Sequence, residues 1–407
     1  MRIALSAVGT RGDVQPMLAL GLALRTRGHD VRLCAPPDFH DLVIDVGLPF
    51  FPVGQDVHEM VTVICPDMVR NPLAPLRVMD EMIRYQFDDL RKACEGAELL
   101  VGGGIQAAAP SIAADLEIPY FYAIYCPVVL RSREHPAPLF KRQDRPGWAN
   151  LLSWWACERF FDLALGKPLN RERAKMGLAP MRRLYEHAFR SGTTLLATDP
   201  VVAPAPSDGR HGVVPTGFWF YEDPAGLEPL DPELQAFLAA GPAPVYVGFG
   251  SMPAEDPERL TRTLVDGVLA SGQRAVLHRG WAGLGSDDLP PQIHLVGSVS
   301  HTKLFRRVCA VVHHGGSGTT ANALRAGLPQ VVVPHVVDQF YWAERVRRLG
   351  VGPPAPTLKS LDAERLARAI RTAATSAGLR DRANEVATQI DCTGGLRRAI
   401  AAIEAAL

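Results

Sequence analysis

A glycine- and hydroxyl-rich segment at residues 313–320 (HHGGSGTT) follows a short apolar run and precedes a stretch with helical periodicity. Glycines let a backbone approach a phosphate closely, and the start of a helix offers unpaired N–H groups at its positive end. The two adjacent histidines point to opposite faces of a strand end, so joint metal ligation is disfavoured; one is expected to pack and the other to reach the site. The segment predicts an anion site built without a metal, with a tight packing turn as the alternative.

Two other polar segments stand at the ends of predicted strands in the same half of the chain, GFGS at residues 248–251 and PHVVDQ at residues 334–339. Asp338 and Gln339 offer a carboxylate and an amide that are suited to pairing with sugar hydroxyls. A helix N-cap is the alternative role for this pair. Because several polar loops end neighbouring strands, we expect them to converge on one ligand site.

A third segment, GTRGDVQP at residues 9–16, follows the first predicted strand and leads into an apolar helix. Pro16 fits a first helical turn, and Asp13 stands where a cap belongs. Asp13 is therefore either a helix N-cap or a general base that takes the proton from an attacking hydroxyl. A helix N-terminus lowers the pKa of a carboxylate, so burial would have to oppose that effect in a base.

Alternating strands and helices position these segments. The pattern predicts an α/β fold with two doubly wound, Rossmann-like domains that face each other across a cleft. We expect an N-terminal acceptor-binding domain at residues 1–205, a Pro- and Gly-rich linker at 206–232 and a donor-binding domain at 233–385. A last helix at residues 386–407 could pack back on the N-terminal domain. Six strands are predicted in the first half and five in the second.

Composition excludes several other classes of protein. The 407 residues carry 43 Lys and Arg against 43 Asp and Glu, which gives no electrostatic case for nucleic acid as a partner. The first residues resemble a strand and lack the features of a signal peptide, and no apolar run is long enough to span a bilayer. Seven scattered cysteines show no zinc-binding spacing, so we expect buried thiols in a cytoplasmic protein.

The motifs together resemble the nucleotide-sugar glycosyltransferases of family 1, which include plant natural-product, sterol and glycopeptide-antibiotic enzymes. The resemblance covers nearly the whole chain and is strongest at GTRGDVQP, PTGFW (residues 215–219), GFGSM (248–252) and residues 313–346. It implies the GT-B architecture and inverting transfer without an essential metal or other cofactor. The absence of a DxD triplet agrees with that expectation.

The resemblance also implies roles for individual residues. The diphosphate-binding set comprises Arg11, Ser251, His313, Gly316, Ser317, Gly318 and Thr319. The sugar is assigned to Asp338 and Gln339, and the base and ribose are assigned to Trp281, Ser298 and Val299. Asp13 becomes the base, because the sterol-like and glycopeptide-like members have Asp in a comparable segment. Plant members pair a histidine base with a later aspartate, but the corresponding stretch here, VGGGIQAAA, has none.

The acceptor region is assigned to the aromatic stretch that contains Trp148, Trp154 and Trp155. It could line a pocket for a large aglycone, or seat on a membrane surface with the help of nearby basic residues. A helix packed on its domain is the third interpretation.

We expect the donor to be a TDP- or UDP-sugar and the acceptor a small natural-product aglycone in antibiotic or secondary-metabolite biosynthesis. The alternatives are a sterol or glycolipid glucosyltransferase, a nucleotide-sugar epimerase of the same architecture, and a non-catalytic binding module. The oligomeric state is not set by the sequence.

Overall fold

The computed structural model describes residues 1–60, 74–190, 192–209, 212–222, 230–286, 288–354 and 356–406. The chain divides into two compact units. The first comprises residues 1–140, 144–221 and 391–407, and the second comprises residues 141–143 and 222–390. Each unit is built on one sheet in which every strand pair is parallel.

Seven strands form the sheet of the first unit: β1 Arg2–Val8, β2 Asp30–Ala35, β3 Phe50–Pro52, β4 Leu99–Gly104, β5 Tyr120–Ile124, β6 Thr193–Leu196 and β7 Val213–Pro215. Their order is β3-β2-β1-β4-β5-β6-β7. The central strands are buried along consecutive residues, which is typical of a parallel sheet covered on both faces. The order reverses between β1 and β4, and such a switch point is where open α/β sheets bind ligands.

Five strands form the sheet of the second unit: β8 Val245–Gly248, β9 Ala275–His278, β10 Ile293–Val296, β11 Ala310–His313 and β12 Gln330–Val332. Their order, β10-β9-β8-β11-β12, repeats the pattern of the first five strands of the other sheet. The switch point here lies between β8 and β11. The prediction of two doubly wound α/β units is therefore confirmed.

Helices connect these strands. They are α1 Arg11–Thr26, α2 His40–Ile44, α3 Val57–Glu59, α4 Ala74–Ala93, α5 Ala109–Asp115, α6 Gly147–Lys175, α7 Leu184–Arg190, α8 Pro232–Ala239, α9 Pro257–Ser271, α10 His301–Leu304, α11 Ser317–Arg325, α12 Gln339–Arg348, α13 Ala363–Thr375, α14 Ala377–Gln389 and α15 Gly394–Glu404. Within the described residues, none of these helices combines the length and the apolar character that crossing a bilayer requires.

Strand β7 lies in the stretch whose composition predicts a linker. Its two valines pair in parallel with β6, and Pro215 ends it at the edge of the sheet, where a missing N–H is tolerated. A strand of three residues is too short to produce a periodic signal, which is why the sequence pattern misses it. Residues 210, 211 and 223–229 of the predicted linker lie outside the described residues.

The last helix, α15, belongs to the first unit, where it contacts α1. Glu404 accepts hydrogen bonds from Arg27, at 3.2 and 3.1 Å, and lies 3.3 Å from the ring of His29. At the other end of α15, Arg398 donates to the carbonyl of Thr216 at 2.6 Å and to Asp391 at 2.7 Å. These bonds fasten the C-terminal segment to the PTGFW motif that follows β7.

Candidate functional site

Asp13 lies in the first turn of α1, directly after the end of β1. Thr10 is the N-cap, and Asp13 is the third helical residue of a capping box in which its Oδ2 accepts the backbone N–H of Thr10 at 2.9 Å. The prediction of Asp13 as N-cap and of Pro16 in the first turn is therefore wrong. The helix begins at Arg11, because the Thr-x-x-acid pattern pairs its first two orphan donors upstream of the proline.

The Asp13 carboxylate sits over two glycines that end β1 and β4. Gly9 has φ 147°, and a Cβ added there would lie 2.2 Å from Asp13 Oδ2. Gly104 has φ 78°, and its added Cβ would lie 2.1 Å from the Val8 carbonyl oxygen and 3.2 Å from Asp13 Oδ1. Only glycine fits at either position, so the switch point of the first sheet is shaped to hold this carboxylate.

Two tyrosines support the Asp13 loop, the buried Tyr122 and the partly buried Tyr125, and neither was predicted from the sequence. Tyr125 donates its hydroxyl to the backbone carbonyl of Asp13 at 3.3 Å, and Tyr122 donates to the carbonyl of Gly104 at 2.7 Å. Burial raises the pKa of both phenols, and the negative charge of Asp13 raises it further. Both therefore remain protonated donors.

Tyr125 also packs edge-on against Trp219 of the PTGFW motif, with ring centroids 6.2 Å apart. Trp219 in turn donates its indole N–H to Thr216 at 3.0 Å. The PTGFW motif therefore supports the Asp13 loop through Tyr125.

Arg11, the first residue of α1, is exposed. In the segment after β4, Gln106 is buried and bonds to the backbone of Ser6 and Gly103.

In the second unit, the glycine-rich segment forms the junction of β11 and α11. Gly316 is the N-cap of α11, with no capping side chain, and residues 317–319 form the first turn. The first N–H groups of a helix have no partner within it, so this turn presents donors at the positive end of the dipole. Gly318 is exposed, and Gly316, Ser317 and Thr319 are partly exposed. The local geometry is that of an anion-binding helix start.

His313 is fully buried, and both of its ring nitrogens bond within the protein. Nδ1 accepts the N–H of Gly315 at 3.1 Å, and Nε2 lies 2.9 Å from the side-chain oxygen of Gln330, which makes Nε2 the protonated nitrogen. Burial lowers its pKa to about 4. In this structure, His313 shapes the loop and offers no ring nitrogen to a ligand. It is the packed member of the pair.

His314 lies between the glycine-rich loop and the loop after β8. Its Cε1 would be 3.2 Å from a Cβ added at Gly250, and its Nε2 would be 2.5 Å from one at Gly316. The ring is about nine-tenths buried, its Nδ1 has no hydrogen-bond partner, and burial holds its pKa well below the usual range. The residue pattern alone predicts that one of the two histidines packs and the other reaches the site, without deciding which. The diphosphate-binding set implied by the resemblance contains only His313.

The segment at residues 334–339 packs directly on the glycine-rich loop. A Cβ added at Gly315 would lie 3.0 Å from the backbone oxygen of Gln339. The side-chain oxygen of Gln339 accepts the N–H groups of His335 and Val336 at 2.7 and 3.0 Å, and its nitrogen lies 3.1 Å from the sulfur of Met252. The Gln339 amide therefore closes its own turn and is not directed to a sugar in this structure.

Asp338 is the N-cap residue of α12, but its carboxylate makes no capping bond. Burial raises its pKa to about 6. The preceding Val337 has φ 48°, a strained conformation for a β-branched residue, and such strain is concentrated at functional sites. The Asp338 carboxylate is thus held by a strained turn, which the hydrogen bonds of Gln339 keep in place, beside the predicted diphosphate loop.

The remaining predicted donor residues follow the other strands of the same sheet. Ser251 comes after β8, and the loop after β9 contacts the preceding residue, since the backbone N–H of Trp281 donates to the Gly250 carbonyl at 2.9 Å. Ser298 is exposed after β10, and Val299 is partly buried against the core of the unit. All five strands of the sheet therefore end in a predicted donor residue at the same edge. The assignment of these residues to base and ribose remains a prediction.

The tryptophans of α6 divide into two groups. Trp154 is fully buried, donates its indole N–H to the carbonyl of His135 at 3.2 Å and packs edge-on against Tyr185. It is a core residue, so its assignment to an acceptor-lining surface is wrong for this structure. Trp148 and Trp155 are exposed. Among the described residues, no group of three His, Cys, Asp or Glu side chains is arranged to hold a metal ion.

Two histidines of the second unit, the fully buried His313 and the partly buried His335, predict acid sensitivity. The pKa of His313 and that of His335 both fall to about 4 on burial, whereas an unfolded histidine has about 6.5. The unfolded chain binds more protons in that window, so stability is complete above pH 6.5 and falls as the pH drops towards 4. Asp338 opposes this between about pH 6 and 4, since its raised pKa favours the folded state on acidification.

We expect the free energy of unfolding, measured in urea between pH 7 and 5, to fall by about 1.4 kcal/mol per pH unit for each histidine that becomes protonated only on unfolding. His335→Asn should reduce the slope by one such contribution. His40→Asn, the same substitution at an exposed position, is the control for the change of residue type. An unchanged slope in His335→Asn would contradict the assignment of a neutral ring to His335 in the folded protein.

Two family models match the chain. The N-terminal domain model of glycosyltransferase family 28 matches residues 3–123. The C-terminal domain model of erythromycin biosynthesis protein CIII-like proteins matches residues 263–393.

Several curated proteins are similar over most of this chain. Glycosyltransferase GtfE of Amycolatopsis orientalis is 40% identical over 375 residues, which is 89% of each chain. The vancomycin aglycone glucosyltransferase of the same organism is 40% identical over 377 residues, again 89% of each. A sterol 3-beta-glucosyltransferase of Pichia angusta is 33% identical over 99% of this chain, which corresponds to 33% of the yeast protein.

Solved structures share the fold at lower sequence identity. The spinosyn forosaminyltransferase SpnP has a TM-score of 0.71 and 18% identity, covering 100% of this chain and 99% of its own. The glycosyltransferase VinC, solved in complex with dTDP, has a TM-score of 0.67 and 21% identity, covering 98% of each chain.

Proposed function

Because the chain belongs to the glycosyltransferase family that includes the glycopeptide-antibiotic enzymes of Amycolatopsis orientalis, we propose that it transfers a hexose or deoxyhexose from a nucleoside-diphosphate sugar to a hydroxyl of a natural-product aglycone. The chain is a glycosyltransferase, and its architecture is GT-B. A TDP- or UDP-sugar is the proposed donor. Two similarities support it: a dTDP-epi-vancosaminyltransferase is 38% identical over 391 residues, and VinC was solved with dTDP.

The observation that carries the proposal is the placement of Asp13. Its carboxylate is fixed by the Thr10 N–H over the two glycines at a switch point, where a ligand would be bound. In the proposed reaction, the acceptor oxygen forms a bond to the anomeric carbon while the bond from that carbon to the diphosphate breaks. The hydroxyl proton passes to Asp13, and the electron pair leaves with the nucleoside diphosphate. A single displacement of this kind inverts the anomeric centre.

The second unit supplies the groups proposed to hold the leaving diphosphate. The start of α11 has a glycine cap and exposed or partly exposed residues at its first turn, so N–H groups and hydroxyls can approach phosphate oxygens. Because charge develops on those oxygens as the bond breaks, donors fixed in place stabilise the transition state. Ser251 and Arg11 complete the proposed set.

For the sugar, Asp338 is the proposed contact. Its carboxylate can accept hydrogen bonds from sugar hydroxyls once it is ionised, and its raised pKa of about 6 leaves it ionised at neutral pH. Gln339 is proposed to act indirectly, since it fixes the turn that precedes α12. The proposed donor site thus depends on a partly buried residue, Asp338, and on the buried Gln339 that fixes its turn.

Transfer is proposed to need no metal, since a helix start and hydroxyls take the place of a cation at the diphosphate. We expect removal of divalent ions with EDTA to change kcat/KM for the donor by less than about twofold. The reason is that N–H groups and hydroxyls fixed in the protein, and not a cation, would stabilise the negative charge of the leaving diphosphate. Initial rates with EDTA, with added Mg²⁺ and after dialysis test this. A loss of more than tenfold that Mg²⁺ restores would contradict it.

A sterol or glycolipid glucosyltransferase is the second candidate. It is favoured by the 33% identity to the sterol 3-beta-glucosyltransferase of Pichia angusta, which extends over almost the whole of this chain. The identity to the glycopeptide-type enzymes is higher, and the match there covers most of both proteins, so a natural-product acceptor is preferred.

The test is incubation of the protein with a panel of TDP- and UDP-sugars and with glycopeptide, polyketide and sterol acceptors, followed by mass analysis of the products. A sugar adduct on a non-sterol aglycone is the expected result, and the anomeric configuration by NMR tests inversion. An adduct on the sterol alone would favour the second candidate. Isomerisation of the donor without an acceptor would overturn transfer as the reaction.

A further inference from the structure

Helix α6 leaves a row of large apolar side chains exposed to solvent: Trp148 at 70%, Leu152 at 55%, Trp155 at 58%, Phe160 at 50% and Leu163 at 83%. At 100° per residue, Trp148, Leu152, Trp155 and Leu163 fall within an arc of about 80°. The opposite side of the helix already supplies the core through other residues, such as Trp154 and Leu165. Isolated exposed apolar residues are ordinary, but a continuous row marks a surface that binds something.

The charged residues of α6 are sorted between the two sides. Its three acids are Glu158, Asp162 and Glu172, with side chains 15%, 9% and 2% exposed, and each is paired with a cation. The cations at the exposed positions are Arg159, Lys167, Arg171 and Lys175. Arg159, Arg171 and Lys175 form ion pairs with these acids, so Lys167 is the cation that adds net positive charge to the outward side of α6. That side therefore combines tryptophan, phenylalanine and leucine with a cation, and the three carboxylates of α6 are buried or partly buried.

We propose that the α6 surface, defined by Trp148, Leu152, Trp155, Arg159, Phe160, Leu163 and Lys167, docks on a lipid bilayer surface that carries anionic headgroups. Tryptophan is favoured at the boundary between headgroups and acyl chains, and basic residues are attracted to anionic lipids. The helix is not apolar enough to cross a bilayer, so it would lie in the plane of the interface.

A second copy of the chain fits this surface less well. In a two-fold contact the same patch meets itself. Asp162 already pairs with Arg159, so Lys167 would meet the same cation of the other copy without an exposed carboxylate on α6 to pair with it. An anionic lipid surface supplies the complementary charge. The inference is independent of the donor and acceptor proposed above.

The first experiment is sedimentation of the full chain with vesicles of phosphatidylcholine alone or mixed with phosphatidylglycerol, at low and high salt. We expect binding to the mixed vesicles that weakens with salt, and little binding to phosphatidylcholine. Replacing Trp148 and Trp155 together by Ser should reduce the partition coefficient at least about tenfold. Lys167→Gln should reduce it about fivefold. Arg368→Gln, an exposed cation of α13, is the matched control and should have no effect.

Tryptophan fluorescence gives a second readout, because Trp148 and Trp155 are exposed, whereas Trp154, Trp219 and Trp342 are buried and Trp281 is partly buried. A blue shift on addition of mixed vesicles is expected, and it should disappear when both exposed tryptophans are replaced by Phe while sedimentation persists. Thermal unfolding of each variant checks that it folds.

Three outcomes would overturn the proposal. If all variants bind equally to both kinds of vesicle, the α6 surface is not what binds the bilayer. A concentration-dependent dimer that the Trp148 and Trp155 variants abolish, with no vesicle binding, would assign the surface to a second copy. A loss of transfer to a water-soluble acceptor in those variants, again with no vesicle binding, would assign it to acceptor recognition.

Discussion

Replacing Asp13 by Asn is expected to lower kcat by about 10² to 10⁴ and to leave the donor affinity within about twofold of the original. Asn retains an oxygen that can accept the Thr10 N–H, so the capping box and the start of α1 are preserved. Only the ability to take a proton is lost. The measurement is single-turnover transfer at saturating donor, with donor affinity measured separately by calorimetry.

The control for Asp13→Asn is the same chemical change at a carboxylate that only caps a helix. Asp362 is the N-cap of α13 and accepts the N–H of Arg365 at 2.8 Å, so Asp362→Asn should alter stability by a few tenths of a kcal/mol and leave kcat unchanged. If Asp13→Asn turns over at a near-normal rate, the carboxylate is a capping group and the base lies elsewhere. If kcat falls equally in both variants, the loss reflects stability and not catalysis.

The sequence predicted what depends on periodicity and on strand ends. Parallel βαβ order, the two-unit organisation of the fold class and the edge at which the polar loops end all follow from apolar runs and the residues after them. The start of α1 was misplaced although its signal was present, since Thr10 and Asp13 have capping-box spacing. Pro16 alone favours a later start, but the capping box determines where the helix begins.

What the sequence could not decide is which of two equivalent groups faces inward. Adjacent His313 and His314 both end β11, and the choice depends on Gln330 of the neighbouring strand, which bonds to His313. Trp154 and Trp155 differ in the same way, by the contact of Trp154 with Tyr185 from another helix. Gln339 looked like a sugar ligand because its partners, the N–H groups of its own turn, have no side-chain signature. In each case the deciding partner is remote or is backbone.

The diphosphate loop can be tested with a negative charge at the start of α11. Such a charge should stabilise the helix and weaken the binding of a diphosphate. Gly318 is the second residue of α11, it is exposed, and a Cβ added there meets no protein atom within 4 Å. Gly318→Asp should therefore fold, and a carboxylate in the first turn of a helix should stabilise the protein by up to about 1 kcal/mol. A bound diphosphate at the same turn would be repelled. Two unit charges about 4 Å apart near a protein surface interact by about 4 kcal/mol, so we expect the donor KM to rise by about 10² to 10³.

The neutral variant Gly318→Asn separates charge from size. It places a side chain of the same shape in the same open space, so it should raise the donor KM by a smaller factor, about tenfold or less, from crowding of the phosphate alone. Stability from thermal unfolding and affinity for the nucleoside diphosphate should therefore move in opposite directions in the Asp variant. If affinity and stability fall together, the substitution has disturbed the helix. If affinity is unchanged in a stable Gly318→Asp protein, the diphosphate binds elsewhere, and the glycines of residues 313–320 are there for packing.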